Sequence, residues 1–495
     1  MGIIIRQSIK GTAVNYIGAF LGFLIQMYVL LKFLQPEEIG LTRFILDSSL
    51  LIAGFAQLGI TGTAFRFFPY FQSEKNRHNG FFFYLLLVPT IGLIIFIPLY
   101  ILLKGPISAY FITQSALVLD YFYWIIALVI FLVFWIVFET YANLLMRIAI
   151  PKLIREIVVR LLLLTVYLLF AFKFIQIDGL VGGFILAYGI AMLLMFIYVS
   201  RIGPVSLKHD FSFIDKPLRK KIRNYTLFLV LSALSGNILG MLDVFMITSM
   251  KGLEFTGIYT VAFFMAAVVD IPSRSISSIS SPVAAKAMKE GDLKTSNRLY
   301  KKVSLHQLLT GSIIFLFIWI NIDNIFAIIP NGDEYIEGKW VVFFLALGRM
   351  MNVTFNFGAI LVSYSKYYYW GLFFVVFITV TGIVTNLLLI PVWSITGAAI
   401  ATFISYFLHN AVQQWIVLVK VKGNPFSKGM GQYIILILIL FGINYLLPQW
   451  SSNPFVDGIY RSLIIGVIAL ISIYKLKVSD EISVIMDRFL KRNRS

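Results

Sequence analysis

Hydrophobic residues along this chain fall into long runs of about twenty, separated by short polar segments that carry most of the charge. A run of that length is what an α-helix needs to cross a bilayer core of ~30 Å. Lipid offers the backbone no hydrogen-bond partners, so a spanning segment must be helical or belong to a closed barrel. The runs are unbroken rather than alternating, which disfavours barrel strands. The pattern therefore predicts an all-α polytopic membrane protein.

The runs predict fourteen membrane-spanning helices. In chain order they cover residues 11–31, 40–64, 81–103, 120–146, 154–172, 179–200, 225–248, 257–283, 303–329, 340–365, 367–390, 395–419, 430–447 and 458–474. Composition agrees, because 59% of the 495 residues are hydrophobic and 13% are charged, whereas a soluble domain carries about 25% charged residues. The loops between the spans are too short to fold as a catalytic domain.

The net charge of +18 is distributed unevenly between the two sides of the membrane. With a cytoplasmic N-terminus, thirty Lys and Arg residues lie in cytoplasmic segments and five in periplasmic loops. Membrane proteins keep Lys and Arg in cytoplasmic loops. The count predicts that both termini are cytoplasmic, and it explains the positive charge without a nucleic-acid partner. There is no cysteine and the four histidines are scattered, so no metal or cofactor is expected.

A short internal repeat relates two parts of the chain at an offset of 217 residues, with Glu37 over Glu254 and Gly40 over Gly257. Each copy precedes a long helix with a polar stripe. Repeated halves are common in secondary transporters, which hold substrate between them. The predicted divisions are an N-terminal lobe of six helices at 1–200, a basic cytoplasmic linker at 201–224, a C-terminal lobe of six helices at 225–419, two additional helices at 420–474 and a basic cytoplasmic tail at 475–495.

Two spans carry a pair of oppositely charged side chains each, and a charged side chain costs about 2.5–3.5 kcal/mol at the centre of a helix. Arg43 and Asp47 lie four residues apart on the second span, so they share a helix face that Gln57 continues. The eighth span repeats the arrangement in reverse order with Asp270 and Arg274. Both stripes are expected to face protein or a wet cavity. Each pair is equally well explained as an intrahelical ion pair that stabilises the bundle.

Other polar residues also fall inside spans: Glu139, Asp243, Arg349, Asn352 and Asn356. Arg349 lies about ten residues into its span with no acidic residue within a turn, so a purely structural role explains it least. Asparagine and glutamine often join helices to one another in membranes, and that role stays open for the amides here.

Three stretches carry a resemblance to a known family. They are Leu34-Gln-Pro-Glu-Glu-Ile-Gly40, Asp243 followed by Glu254-Phe-Thr-Gly-Ile-Tyr259, and Asn386-Leu-Leu-Leu-Ile-Pro391 followed by Gly397-Ala-Ala-Ile-Ala-Thr402. Together they resemble the Wzx-like polysaccharide flippases of the multidrug/oligosaccharidyl-lipid/polysaccharide (MOP) exporter superfamily. One departure is that residues 349–358 lack the proline expected near their asparagines.

The resemblance implies two pseudo-symmetric lobes around a central cavity and a transporter rather than an enzyme, with no catalytic residues. It implies that an undecaprenyl-pyrophosphate-linked oligosaccharide is flipped from the cytoplasmic to the periplasmic leaflet, for O-antigen, capsule or exopolysaccharide synthesis. Its expected partners are this substrate, membrane lipid and other polysaccharide assembly proteins. Guanidinium groups match phosphate geometry. The expected substrate-binding residues are therefore Arg43, Arg274 and Arg349 for the headgroup and Gln57, Asn352 and Asn356 for sugar hydroxyls. Asp47, Glu139, Asp243 and Asp270 are candidates for proton or sodium coupling.

Three other functions are compatible with parts of this pattern. A drug exporter of the same superfamily is expected to have an acidic cavity rather than one with arginines. A glycan-assembly enzyme in the membrane is expected to expose a large periplasmic loop. A scaffold for the assembly complex would use its buried arginines structurally.

Overall fold

The computed structural model of this protein describes residues 14–15, 17–73, 77–205, 215–232, 238–476 and 478. Within those ranges the chain is helical with short connections and has no β-strand, which confirms the all-α prediction. The chain forms two compact units, residues 1–260 and 261–495.

The described part of the first unit contains eleven helices of eight residues or more, the last of which continues into the second unit. They are α1 (Ile17–Phe33), α2 (Pro36–Ala56), α3 (Ile60–Phe71), α4 (Phe81–Leu102), α5 (Lys104–Phe111), α6 (Trp124–Leu144), α7 (Val159–Ala171), α8 (Ile177–Ile202), α9 (Lys216–Ser232), α10 (Ile238–Met250) and α11 (Leu253–Ala267). Shorter helical turns, among them Ala149–Leu153 and the π-helical turn Ile154–Val158, lie in the connections.

The second unit contains the remaining helices. They are α12 (Ile271–Glu290), α13 (Leu293–Ile320), α14 (Ile322–Ile328), α15 (Lys339–Phe355), α16 (Phe357–Ser363), α17 (Trp370–Ile416), α18 (Lys428–Leu446) and α19 (Pro454–Lys475). The last two helices pack on α13 around a core that includes Leu309, Leu316, Tyr433 and Ile465.

Nine continuous helical segments in the described residues are long and apolar enough to span a membrane, and a bent pair of helices makes a tenth. Each of the fourteen predicted spans overlaps a helix of the structure. The chain is therefore a multi-pass membrane protein. Several parts of the predicted elements lie outside the described residues: 11–13 and 16 of the first span, 206–214 of the linker, 233–237 of the seventh span and most of the tail. The predicted linker ends inside α9, and the division into two six-helix lobes remains a prediction.

The third family stretch forms a sharp corner inside α17. Pro391 precedes a break at Trp393 and Ser394, and Ser394 has φ 50°. Gly397 packs so tightly that a Cβ there would overlap the carbonyl of Leu389. The corner separates the two arms of α17, and it falls between the predicted spans 367–390 and 395–419.

The two copies of the internal repeat contact each other within the first unit. A Cβ on Gly40 would overlap the carbonyl of Leu253, and a Cβ on Gly257 would overlap the carbonyl of Pro36. Pro36 and Leu253 are themselves 217 residues apart. The contact is therefore reciprocal, as expected of a local two-fold relation between the first turns of α2 and α11. Glycine at both positions lets the two backbones approach, as small residues do in membrane helix pairs.

Candidate functional site

The predicted ion pair on α2 is present. Arg43 Nε lies 2.7 Å from Asp47 Oδ2, and the two side chains are 15% and 4% exposed. Gln57 follows the last residue of α2, and its Oε1 accepts a hydrogen bond from Thr61 at 3.0 Å. The charge of Arg43 is thus already balanced by a buried carboxylate on its own helix.

Glu139 belongs to a network of four charges between α6 and the turn before α7. Its Oε1 lies 2.9 Å from Arg155 Nη1. Arg155 also contacts Glu156 at 3.2 Å, and Glu156 contacts Arg160 at 3.1 Å. The spacing on α6 gave no sign of this network, because the partners of Glu139 come from another helix.

Asp243 is fully buried on α10 and accepts a hydrogen bond from the Tyr259 hydroxyl of α11. Both residues belong to the second family stretch. The carboxylate is thus held by a neutral donor in the interior of the first unit.

In the second unit, Asp270 pairs with Arg349 of α15. The expected Asp270–Arg274 pair does not form, and the Asp270 carboxylate pairs with Arg349 of another helix instead. The Arg349 side chain is 11% exposed and that of Asp270 is 24% exposed. The Arg349 guanidinium also lies 4.3 Å from the centre of the Phe263 ring, a distance typical of cation–π contacts. Neither contact was predictable from residue spacing, because the partners of Arg349 lie far from it in the chain.

Arg274 lies one turn along α12 from Asp270 and is exposed. No residue in the described part of the chain forms an ion pair with it. Asn352 and Asn356 follow Arg349 by three and seven residues, so they share its face of α15. Asn352 is half-buried and Asn356 is exposed where α15 ends. A guanidinium such as that of Arg274 can bind an anionic group, and the amides of Asn352 and Asn356 can exchange hydrogen bonds with hydroxyls.

Within the described residues, no three His, Asp or Glu side chains come together as in a metal site.

Comparisons of sequence support the resemblance. The model of the family described as "Polysaccharide biosynthesis protein" matches residues 5–288, more than half of the chain. An uncharacterized membrane protein of Methanocaldococcus jannaschii is 25% identical over 313 residues, which cover 60% of this chain and 59% of that protein. The match therefore spans less than two thirds of the length of that relative.

Two solved structures have the same fold. The lipid II flippase MurJ in an inward closed conformation gives a TM-score of 0.74 at 15% identity, over 95% of this chain and 100% of that one. A multidrug resistance MATE family transporter of the MOP superfamily, in an inward-facing conformation, gives 0.58 at 14% identity, over 82% of this chain and 96% of that one. This chain belongs to the polysaccharide biosynthesis protein family and has the fold of MOP superfamily transporters.

Proposed function

We propose that the protein is a flippase that moves an undecaprenyl-pyrophosphate-linked oligosaccharide from the cytoplasmic to the periplasmic leaflet of a bacterial inner membrane. Its product would serve surface polysaccharide synthesis, as O-antigen, capsule or exopolysaccharide. Family membership supports a role in polysaccharide synthesis. The fold it shares with a lipid II flippase is suited to a lipid-linked substrate. Movement of an intact substrate requires no catalytic residue.

The observation that carries this proposal is the pair of arginines in the second unit. Arg349 lies within a predicted span, where a guanidinium is costly unless it is paired, and its partner Asp270 is still partly exposed. Arg274, one turn away from Asp270, is exposed and has no ion-pair partner among the described residues. A diphosphate offers more acceptor oxygens than one carboxylate and can accept paired hydrogen bonds from guanidinium. The headgroup would bind Arg274 and compete with Asp270 for Arg349.

The remaining candidate residues have supporting roles in this proposal. Asn352 and Asn356 would bind sugar hydroxyls beside the headgroup, and Gln57 would do so on α2. Arg43 is the weaker headgroup candidate, because Asp47 already pairs with it. Asp47, Glu139 and Asp243 would couple transport to protons or sodium, since neutralising any of them would release its present partner. Asp270 is the weaker coupling candidate, because in this proposal it holds Arg349 until the headgroup binds.

In an alternating-access cycle, the contact between the two repeat copies would open and close. In the predicted topology, Gly40 and Gly257 lie at the periplasmic ends of α2 and α11. Their backbones are in contact in this structure. Release of substrate to the periplasmic leaflet would require α2 and α11 to separate there.

Complementation tests the proposal. A bacterial strain that lacks its own polysaccharide flippase would carry this protein together with the glycan-assembly genes of the same source. We expect wild type to restore surface polysaccharide and Arg274→Gln to reduce it about tenfold, the effect of one lost hydrogen bond to a charged group. Arg298→Gln is the matched control, because Arg298 is an exposed arginine on α13 within a predicted cytoplasmic loop.

Protein abundance would be measured by immunoblot for every variant. Full rescue by Arg274→Gln at normal abundance would remove Arg274 from the headgroup site. Surface polysaccharide that stays absent with abundant wild-type protein would contradict the flippase function.

A further inference from the structure

Helix α9 begins with a cluster of positive charge. Lys216, Arg219, Lys220, Lys221 and Arg223 lie within its first eight residues, and all five are exposed. The second half of the helix is largely apolar. A helix with this division is suited to the membrane interface, where basic residues meet anionic headgroups.

One face of α9 packs against α3 in the first unit. Thr226 Oγ1 lies 3.0 Å from Thr63 Oγ1. The ring of Tyr225 lies 5.7 Å from that of Phe67, and the Arg66 guanidinium lies 4.2 Å from the centre of the Tyr225 ring. These contacts fix the rotation of α9 about its axis, and they therefore determine which basic residues point toward α3 and α4.

Beside this contact lies a cavity of about 360 Å³. Its walls are formed by Phe71, Tyr84, Arg219, Ile222, Arg223, Thr226 and Leu227. Arg219 and Arg223 are four residues apart, so they lie on one side of the helix, and neither forms an ion pair with any described residue. Lys220 and Lys221 are as exposed but do not line the cavity. The cavity is therefore lined by two arginines without an ion-pair partner among the described residues, and its walls are mainly apolar.

We infer that this cavity binds an anionic lipid, with its phosphate between Arg219 and Arg223 and its hydrocarbon chain along Phe71 and Leu227. Guanidinium binds phosphate through directed hydrogen bonds. The apolar walls gain from burying hydrocarbon, which a free phosphate does not offer. The cavity volume suits a headgroup and the first part of one chain. The site is separate from the arginines of the second unit, and it does not depend on the proposed function.

Native mass spectrometry of the delipidated full-length protein tests this inference. Phosphatidylglycerol and phosphatidylcholine with the same chains would be titrated onto wild type, Arg219→Gln/Arg223→Gln and Lys220→Gln/Lys221→Gln. The two double variants remove the same charge from the same helix. We expect wild type to prefer phosphatidylglycerol, the arginine variant to bind it about tenfold more weakly, and the lysine variant to stay within about twofold.

An equal loss in both double variants would overturn the inference, because it would show interfacial attraction without a site. Equal binding of phosphatidylcholine, or displacement of the lipid by the same concentration of inorganic phosphate, would overturn it too.

Leu227→Trp provides a second variant in case the arginine variant does not fold. Leu227 is 59% exposed, so we expect the larger tryptophan to leave the unfolding temperature unchanged. Because Leu227 lines the cavity, the tryptophan should fill it and weaken phosphatidylglycerol binding without a change in charge. Unchanged lipid binding in Leu227→Trp would contradict a chain along this wall.

The lipid that copurifies with wild type identifies the natural source of the phosphate. Recovery of a phospholipid or of a polyprenyl phosphate would each support the site and name its occupant. These measurements record lipid binding and not transport. A negative result would therefore contradict the lipid site alone, whereas failed complementation would contradict the flippase function.

Discussion

Arg349 and Asp270 form one ion pair, yet the proposed mechanism gives the two side chains different roles. The substrate headgroup needs Arg349, whereas Asp270 only holds it until the headgroup arrives. We therefore predict that Arg349→Gln lowers transport at least about tenfold, since it removes hydrogen bonds to a charged group. Asp270→Asn should keep transport within a few-fold of wild type, because the amide oxygen can still accept from the guanidinium. Transport by each variant would be measured as the amount of surface polysaccharide that it restores in the complementation assay.

A purely structural pair would behave differently. Removing either partner would then leave an uncompensated buried charge, and both variants would lose abundance together. Unfolding temperatures of the purified variants would detect this. Equal losses of transport and stability in the two variants would contradict the headgroup role of Arg349. An inactive Asp270→Asn at normal stability would instead make Asp270 part of the coupling machinery.

The side-chain contacts that could be predicted from the sequence are those between residues close together in the chain. The Arg43–Asp47 pair was predictable because both residues belong to one turn of helix spacing. The partners of Glu139 and Arg349 are 16 and 79 residues away, and one sequence contains no information that links them. The stacking of Arg349 on Phe263 was hidden for the same reason.

Among helices, the contact between α2 and α11 makes a prediction about glycine. Alanine usually stabilises a helix by about 1 kcal/mol relative to glycine. At Gly40 the added methyl would overlap the Leu253 carbonyl, so we predict that Gly40→Ala forces the two helices apart. Phe44, one turn further along α2, is 2% exposed. The chain has no cysteine, so labelling of Phe44→Cys by a membrane-impermeant maleimide would report the separation.

The labelling rate should rise when Gly40→Ala is added to Phe44→Cys. Gly54 on the same helix supplies the control, because a Cβ there has no atom within 4 Å. Gly54→Ala should leave the rate as it was. An unchanged rate in Gly40→Ala would show that this contact does not keep the helices together.

The corner inside α17 predicts a substitution that stabilises the protein. Ser394 adopts φ 50° and ψ −134°, a region that side chains avoid and glycine tolerates. Ser394→Gly should raise the free energy of unfolding by about 1 kcal/mol, measured as a higher unfolding temperature in detergent. Ser363→Gly, in the last turn of α16, should lower it by about 0.5 kcal/mol, because serine is the better helix former there. A lower unfolding temperature for Ser394→Gly would show that the serine side chain itself holds the corner.

Helices were the most predictable level of this structure. Each of the fourteen apolar runs overlaps a helix of the structure, because the bilayer fixes the length of an apolar run. Nine or ten helical segments in the described residues are long and apolar enough to span the membrane. Hydropathy also separated the two arms of α17, since Pro391 and polar residues interrupt the apolar run there. Hydropathy did not reveal how the helices pack. The reciprocal contact of Gly40 and Gly257 became visible only in three dimensions, although the repeat that produces it was in the sequence.

Orientation in the membrane is a property of the whole molecule, and it determines what each site can do. The excess of Lys and Arg on one set of loops predicts that α9 and its cavity face the cytoplasm, and that the Gly40–Gly257 contact faces the periplasm. Single cysteines test both sides. Glu334→Cys lies in a predicted periplasmic loop and Glu290→Cys in a predicted cytoplasmic one, and both positions are exposed. In intact cells, an impermeant maleimide should label only Glu334→Cys, and Glu290→Cys should react after permeabilisation. The reverse pattern would place the basic helix on the periplasmic side, and substrate would then have to enter from the opposite leaflet.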